Sequence, residues 1–306
     1  MTESSPTRFW SRRAALAGLA ASVAAPATFA QTAGSRPIRI IVGFAPGSAN
    51  DLIARELARY MAEPLGQPVI VENKPGAGGS LGTEMVAKAA PDGLTVGLGT
   101  SSQMVMNVAL YRNLPFDVER DLRQIGLVGR TPLVLAGKAA GAKKLKELIA
   151  AARANPGQIS YGSGGTGSIS HIVGEAFARA VDMVFDGIIT SQPMAQQGRV
   201  RLLAFGGRKR SPVIPDVPTF AEQGLRDYDA YSWNCLFAPA KVADADITRL
   251  NQALNAALAL PAMQERLARG GSDNLGPSTP AQADAFGRKE RERWVPFVRS
   301  LKIETA

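Results

Sequence analysis

A β-strand that runs into a glycine-rich turn and then into a helix recurs along this chain, and that repetition constrains the fold more than any other feature. It is clearest between residues 38 and 55. The apolar run at 40–42 reads as a buried strand, and from Asp51 apolar residues fall at helical spacing, at Leu52, Ile53, Leu57, Tyr60 and Met61. Between the two lies Pro46-Gly47-Ser48, with Ser48, Asn50 and Asp51 all able to cap the helix. Such a turn presents backbone N–H groups at the positive end of a helix, where an anion is held without a charged side chain. An ordinary strand-to-helix connection uses the same residues, so this turn alone leaves both readings open.

Further units follow. Val69-Ile70-Val71 leads into Pro75-Gly76-Ala77-Gly78-Gly79 and a helix through Met85, Val86 and Ala87. The strand at 94–98 leads into Thr100-Ser101-Ser102, and Leu133-Val134-Leu135 precedes a helix over 145–154 that stops at Asn155-Pro156-Gly157. Then come Ile159-Ser160-Tyr161, a loop over 162–168 and a helix over 172–177. This alternation predicts an α/β fold with parallel sheets flanked by helices, and ligands collecting at the carboxyl ends of the strands. Three helices are expected to finish the chain, near 245–258, 261–269 and 280–300. Asp244, Pro261 and Pro280 mark their starts, and Gly270-Gly271 marks a stop.

The first thirty residues read as an export signal rather than as part of the fold. Arg12-Arg13 precedes an Ala- and Gly-rich apolar stretch over 14–25, then Pro26 and a small-residue site ending at Ala30. The paired arginines point to the twin-arginine route, with cleavage after Ala30 or, as an alternative, Ala27. An uncleaved N-terminal anchor is the competing reading. The expected location is the periplasm. The chain carries a formal net charge of +9, without the arginine-rich arm or aromatic–basic interleaving of a nucleic-acid binder, so no nucleic-acid partner is expected. Cys235 is the single cysteine, which excludes an intramolecular disulfide. Its setting, Tyr231-Ser232-Trp233-Asn234-Cys235-Leu236-Phe237, reads as a buried strand with an inert thiol.

A resemblance then becomes specific. The chain resembles the Bug family, the periplasmic substrate-binding proteins of tripartite tricarboxylate transporters. The matching stretches include Asp51-Leu52-Ile53-Ala54-Arg55 and Val71-Glu72-Asn73-Lys74-Pro75-Gly76-Ala77-Gly78-Gly79-Ser80-Leu81-Gly82. They continue with Val86-Ala87-Lys88-Ala89-Ala90-Pro91-Asp92-Gly93, Leu114-Pro115-Phe116-Asp117, Ser170-His171, Pro215-Asp216-Val217-Pro218-Thr219 and Glu222-Gln223-Gly224. The resemblance implies a periplasmic-binding-protein-like α/β fold of two lobes around a cleft. Residues 31–130 and 238–306 would form the first lobe and 131–237 the second, with crossings near 130 and 237. One departure stands out: where the family has a further strand, loop and helix, Ala180 runs directly into Val181. About 25 residues, one strand–helix unit of the second lobe, are missing by this comparison.

The implied function is a non-enzymatic receptor that holds a small carboxylate and presents it to the membrane components of a transporter, or to a sensor. A monomer is expected, with no cofactor and no metal. In the first lobe the ligand-binding residues expected at the cleft are Phe44, Ala45, Pro46, Gly47, Ser48, Asn50, Asp51, Gly78, Gly79, Ser101 and Ser102. The second lobe would offer Ser163, Gly165, Thr166, Gly167, Ser168 and His171, while Asp186 would accept a hydrogen bond from the ligand. Helix capping is the plain alternative for Asp186, as helix packing is for His171. A different class of function competes. Gly162-Ser163-Gly164-Gly165-Thr166-Gly167 satisfies the G-x-G-x-x-G pattern, with Asp186 at a suitable distance beyond it, which would suit an exported dinucleotide-dependent oxidoreductase. No complete dinucleotide-binding half surrounds that loop. His171 is the only histidine, which excludes a multi-histidine metal site.

Overall fold

In a computed structural model of the chain, the residues described are 36–155, 160–162, 183–226, 228, 230–301 and 303. The first half opens with β1 (Ile38–Val42), α1 (Ala49–Leu65), β2 (Val69–Asn73), α2 (Ser80–Ala87) and β3 (Thr95–Thr100). After β3 a wide turn of π-helical type, Ser102–Met106, runs into the short α3 (Asn107–Leu110). β4 (Leu122–Pro132), β5 (Val134–Lys138), α4 (Leu145–Ala154) and β6 (Tyr161–Gly162) follow. The second half contains β7 (Met183–Asp186), α5 (Ile188–Gln196), β8 (Val200–Phe205) and β9 (Tyr231–Pro239). It ends with α6 (Asp244–Ala259), α7 (Pro261–Arg269), β10 (Asp273–Asn274) and α8 (Pro280–Ser300). The helix expected at 172–177 and the junction between Ala180 and Val181 lie outside the described residues.

The strands form two sheets, a six-stranded one in the order β10-β4-β9-β3-β1-β2 and a four-stranded one in the order β6-β7-β5-β8. The mixed α/β class is as the alternation predicts, but strand direction is not. Among the described strands, β1 with β2, β1 with β3, and β6 with β7 are the parallel pairs. β9 runs antiparallel to both β3 and β4, and β5 runs antiparallel to both β7 and β8. The reason is the route of the chain. β4 carries it out of the six-stranded sheet and β9 brings it back alongside, so adjacent outgoing and returning strands must point opposite ways. β9 pairs with β4 from Tyr231 to Pro239.

Side-chain alternation along the strands builds two layers. Ile38, Ile40 and Val42 of β1 face a core with Leu57 and Met61 of α1 and Leu250 and Leu254 of α6. Ile41 points the other way, into a core with Val86, Met104 and the β9 residues Trp233, Cys235 and Phe237. That second core continues through Leu133, Leu135, Phe185 and Phe220, so it lies against both sheets. Each fully buried side chain of this size contributes roughly 1.5–3 kcal/mol by leaving water. β9 is also tied by polar contacts: Tyr231 Oη and Trp233 Nε1 donate to the two oxygens of the buried Glu290 carboxyl on α8, at 2.9 and 3.1 Å.

At the crossing itself the backbone is closely interlocked. Leu133 donates its N–H to the carbonyl of Ala230 and accepts from the N–H of Gly206, both at 2.8 Å. A β-carbon at position 206 would stand 2.1 Å from the Ala230 oxygen, so only glycine lets these three segments meet.

Candidate functional site

A cavity of about 380 Å³ lies where the two sheets face each other, a size suited to a small organic molecule. From the first sheet's side it is lined by Phe44, Ala45, Ser48, Ala49, Asn50, Ile53, Thr100 and Ser102. Thr131 of β4, Leu133 between β4 and β5, and Ser232 and Asn234 of β9 also line it, and Asp186, Gly187, Ile189 and Thr190 do so from β7 and the start of α5. Arg266, Leu267, Gly270 and Ser272, at the end of α7, complete the wall.

The first turn is held by its own side chains. Ser48 Oγ accepts the N–H of Asp51 at 3.3 Å, so Ser48 is the cap among the three candidates. The Asp51 carboxylate is buried. One oxygen accepts the N–H of Gly47 at 2.8 Å and Arg55 Nε at 3.0 Å, and the other accepts Asn73 Nδ2 at 2.9 Å. Burial pushes the Asp51 pKa up, but the Arg55, Gly47 and Asn73 donors outweigh it and hold the group below the usual aspartate value. Gly47 and Asp51 thus spend their polar groups on the turn itself and do not line the cavity, and Pro46 is likewise absent from its wall. The Ser48 N–H is also used, donating to Ala45 O. Among the described residues the amides of Ala49 and Asn50 remain without an acceptor, as the first amides of a helix do, and both residues line the cavity.

The glycine turn after β2 packs closely against the turn after β1. Gly78 and Gly79 do not line the cavity. A β-carbon on Gly43 would lie 2.7 Å from Gly79 Cα, so these glycines let the turns after β1 and β2 touch. Gln103 ties that contact to the turn after β3. Its Nε2 donates to Thr83 Oγ1 at 2.9 Å and Gly79 O at 3.3 Å, and its Oε1 accepts Thr100 N at 2.9 Å. Asn107 Nδ2 adds bonds to Ser80 Oγ and Gly78 O.

Polar groups on the cavity floor hold one another in place. Thr131 Oγ1 and Ser272 Oγ share a bond of 2.6 Å, and Asn234 Nδ2 donates to Asn50 Oδ1 at 2.9 Å. Ser101 stands behind the wall, its Oγ 3.2 Å from that of Ser232. Each hydroxyl keeps spare hydrogen-bonding capacity for an occupant. Asp186 does line the cavity, and its Oδ1 also accepts the N–H of Gly187 at 2.8 Å; the cap of α5 is Gly187 itself, without a side-chain capping bond. Ser163, Gly165, Thr166, Gly167, Ser168 and His171 lie outside the described residues.

Sequence reasoning missed Arg266. Met263 and Leu267 are buried on one face of α7, and Arg266 falls on the same face with Gly270, at the spacing i, i+3, i+4, i+7. A cation inside an otherwise apolar helical stripe was the available signal. Cys235 is fully buried on β9, and burial pushes its thiol pKa up, which fits an inert core residue.

A sequence profile described as the tripartite tricarboxylate transporter family receptor matches residues 53–187 and 177–303. The UPF0065 protein in the tcbD-tcbE intergenic region of Pseudomonas sp. (strain P51) is 34% identical over 321 residues, covering 95% of this chain and 95% of the relative. BugT of Bordetella pertussis is 34% identical over 305 residues, covering 91% of this chain and 93% of its own. Among solved structures, the periplasmic binding protein BugD superposes with a TM-score of 0.80 at 28% identity, over 89% of this chain and 99% of BugD. MatC from Rhodopseudomonas palustris, solved with bound malate, gives 0.78 at 29% identity over 86% of this chain and 99% of MatC. Another R. palustris protein, solved with adipate, gives 0.81 at 26% identity over 88% and 98% of the two chains.

Proposed function

Since this chain belongs to the tripartite tricarboxylate transporter receptor family, whose members are periplasmic binding proteins, we propose that it captures a small organic acid by its carboxylate in the periplasm. It then presents that acid to the membrane components of a tripartite transporter or to a sensor. The observation that carries this reading is the cavity between the sheets, where the unoccupied amides of Ala49 and Asn50 at the start of α1 stand beside a floor of hydroxyl groups. Neutral donors at a helix N-terminus hold an anion through partial charges and N–H geometry, without the rigidity of a full salt bridge. Ser163, Gly165, Thr166, Gly167, Ser168 and His171 supply the facing donors from the second lobe in this reading, and Asp186 accepts from a ligand hydroxyl or amino group. The signal over residues 1–30 directs export through the twin-arginine route.

The shortened junction modifies the proposal. The family profile matches as two stretches that overlap at 177–187, and the Pseudomonas relative aligns over more positions than this chain has residues. Both support a strand–helix unit lost between Ala180 and Val181. Losing several donors and part of the apolar wall costs a few kcal/mol, or roughly two powers of ten in affinity. Calorimetry with malate, adipate and NAD tests the whole reading. Weak binding of an acid, strengthened by a family-like insert at the junction, is the expected result. Binding of NAD alone would replace the receptor with the dinucleotide-dependent enzyme.

A further inference from the structure

The anion-binding donors of the cavity named above are neutral amides and hydroxyls, and they account for one carboxylate. Two charged side chains also line it, the acceptor Asp186 and the cation Arg266. Arg266 is half-buried on the last turn of α7, and among the described residues its guanidinium makes no hydrogen bond and no ion pair. Elsewhere on the same helix Arg269 is paired with Glu265 one turn away. The carboxylate nearest in kind, Asp186, lines the same cavity but forms no ion pair with Arg266, and its own oxygen is engaged by the Gly187 amide. An arginine that lines the cavity, with no partner among the described residues, leaves a second place for negative charge beside the anion-binding amides.

We propose that Arg266 is a specificity-determining residue that holds the second carboxylate of a dianionic acid, while the first lies against the Ala49 and Asn50 amides. This rests on the receptor reading above and narrows it to dicarboxylates. The chemistry favours it. Arginine presents N–H groups in a planar fork that matches a carboxylate, and a partly buried site strengthens that bond relative to water. The position also has a plain structural use, since a cation in the last turn of a helix complements the helix dipole. The two roles separate experimentally: the dipole acts on stability whatever the ligand, whereas a carboxylate clamp acts only on ligands that carry the second charge.

The test compares adipate with its monomethyl ester, two ligands of one carbon skeleton that differ by a single charge, by titration calorimetry on the full exported chain. Wild type is expected to prefer adipate about ten-fold or more, the effect of one charge-assisted hydrogen bond. Arg266→Gln should weaken adipate more than the ester and so lose that preference, and Arg266→Lys should restore part of it. The preference should also shrink as salt is raised. Equal wild-type affinity for the two ligands, or an Arg266→Gln protein that weakens both alike, overturns the role of Arg266 and leaves the receptor reading standing. If wild type binds neither ligand up to millimolar concentration, nor malate, the receptor reading falls and this inference with it.

Discussion

Replacing Asp51 tests whether the turn after β1 is built by its own carboxylate. Asp51→Ala removes the acceptor for Gly47 N–H and Asn73 Nδ2 as well as the partner of Arg55. Three bonds to a charged acceptor, each worth roughly 1.5–3 kcal/mol when buried, set the upper limit. The real cost is smaller, because Arg55 is 52% exposed and the Gly47 amide lies on an exposed turn, so both regain water. What remains is about 2 kcal/mol, mostly from Asn73 and the loosened turn, or about 5 °C in Tm for a domain of this size. The sign of the pH dependence follows from the lowered folded-state pKa. A depressed carboxylate contributes stability above its unfolded pKa near 3.9, and that contribution is lost as the pH falls through the lower folded value. Urea unfolding of wild type and Asp51→Ala should therefore show a gap at neutral pH that closes as the pH falls below about 4. Because the turn positions the Ala49 and Asn50 amides, carboxylate affinity should fall too. A variant within about 0.5 kcal/mol of wild type at neutral pH, or a gap that persists in acid, refutes the argument.

Three further outcomes are expected. In Gly97→Ala the new methyl would lie 2.2 Å from Phe237 Cζ, so urea unfolding should register a loss of about 1–3 kcal/mol or more, partly rescued by Phe237→Leu; an unaffected variant would mean the ring moves freely. The Cys235 thiol, with its pKa raised by burial, should ignore Ellman's reagent at pH 8 in the native protein and react at once in denaturant; rapid native labelling would place it at an accessible surface. Replacing Arg12 and Arg13 by lysine should abolish periplasmic accumulation, measured by fractionation, while unchanged export would point to the general secretory route.

The local signals in the sequence translated well where a short stretch of chain decides the outcome. Ser48 caps α1, Asp244 and Pro261 open α6 and α7, and Gly271 turns the chain out of α7 with φ at +71°. Strand direction was not legible, because β9 reads like any buried strand and only the out-and-back route through the second sheet makes it antiparallel to β4. The site divides the same way. The turn at 44–51 was visible, but which of its groups are free depends on closures within the turn: Gly47 and Asp51 satisfy each other, and Ala49 and Asn50 are left over. Gln103 carries no signal in the sequence, yet it joins neighbouring turns through contacts 20 and 24 positions away. Arg266 sits over two hundred residues from the turn it faces, so only the folded chain brings them to one cavity.

The placement of β9 governs how such a chain can fold as it is made. The strand lies at the middle of the six-stranded sheet, and Asn234 reaches Gly99 across 135 positions of sequence. Until residue 239 leaves the ribosome, β3 and β4 have no strand between them, and the sheet stands split down its centre. Pairings this distant in sequence are slow to form, because a long loop must be closed before any contact rewards it. The early strands therefore cannot settle into a finished lobe during synthesis. A nascent chain keeps both inner edges open, and available to chaperones, until β9 at residues 231–239 has emerged.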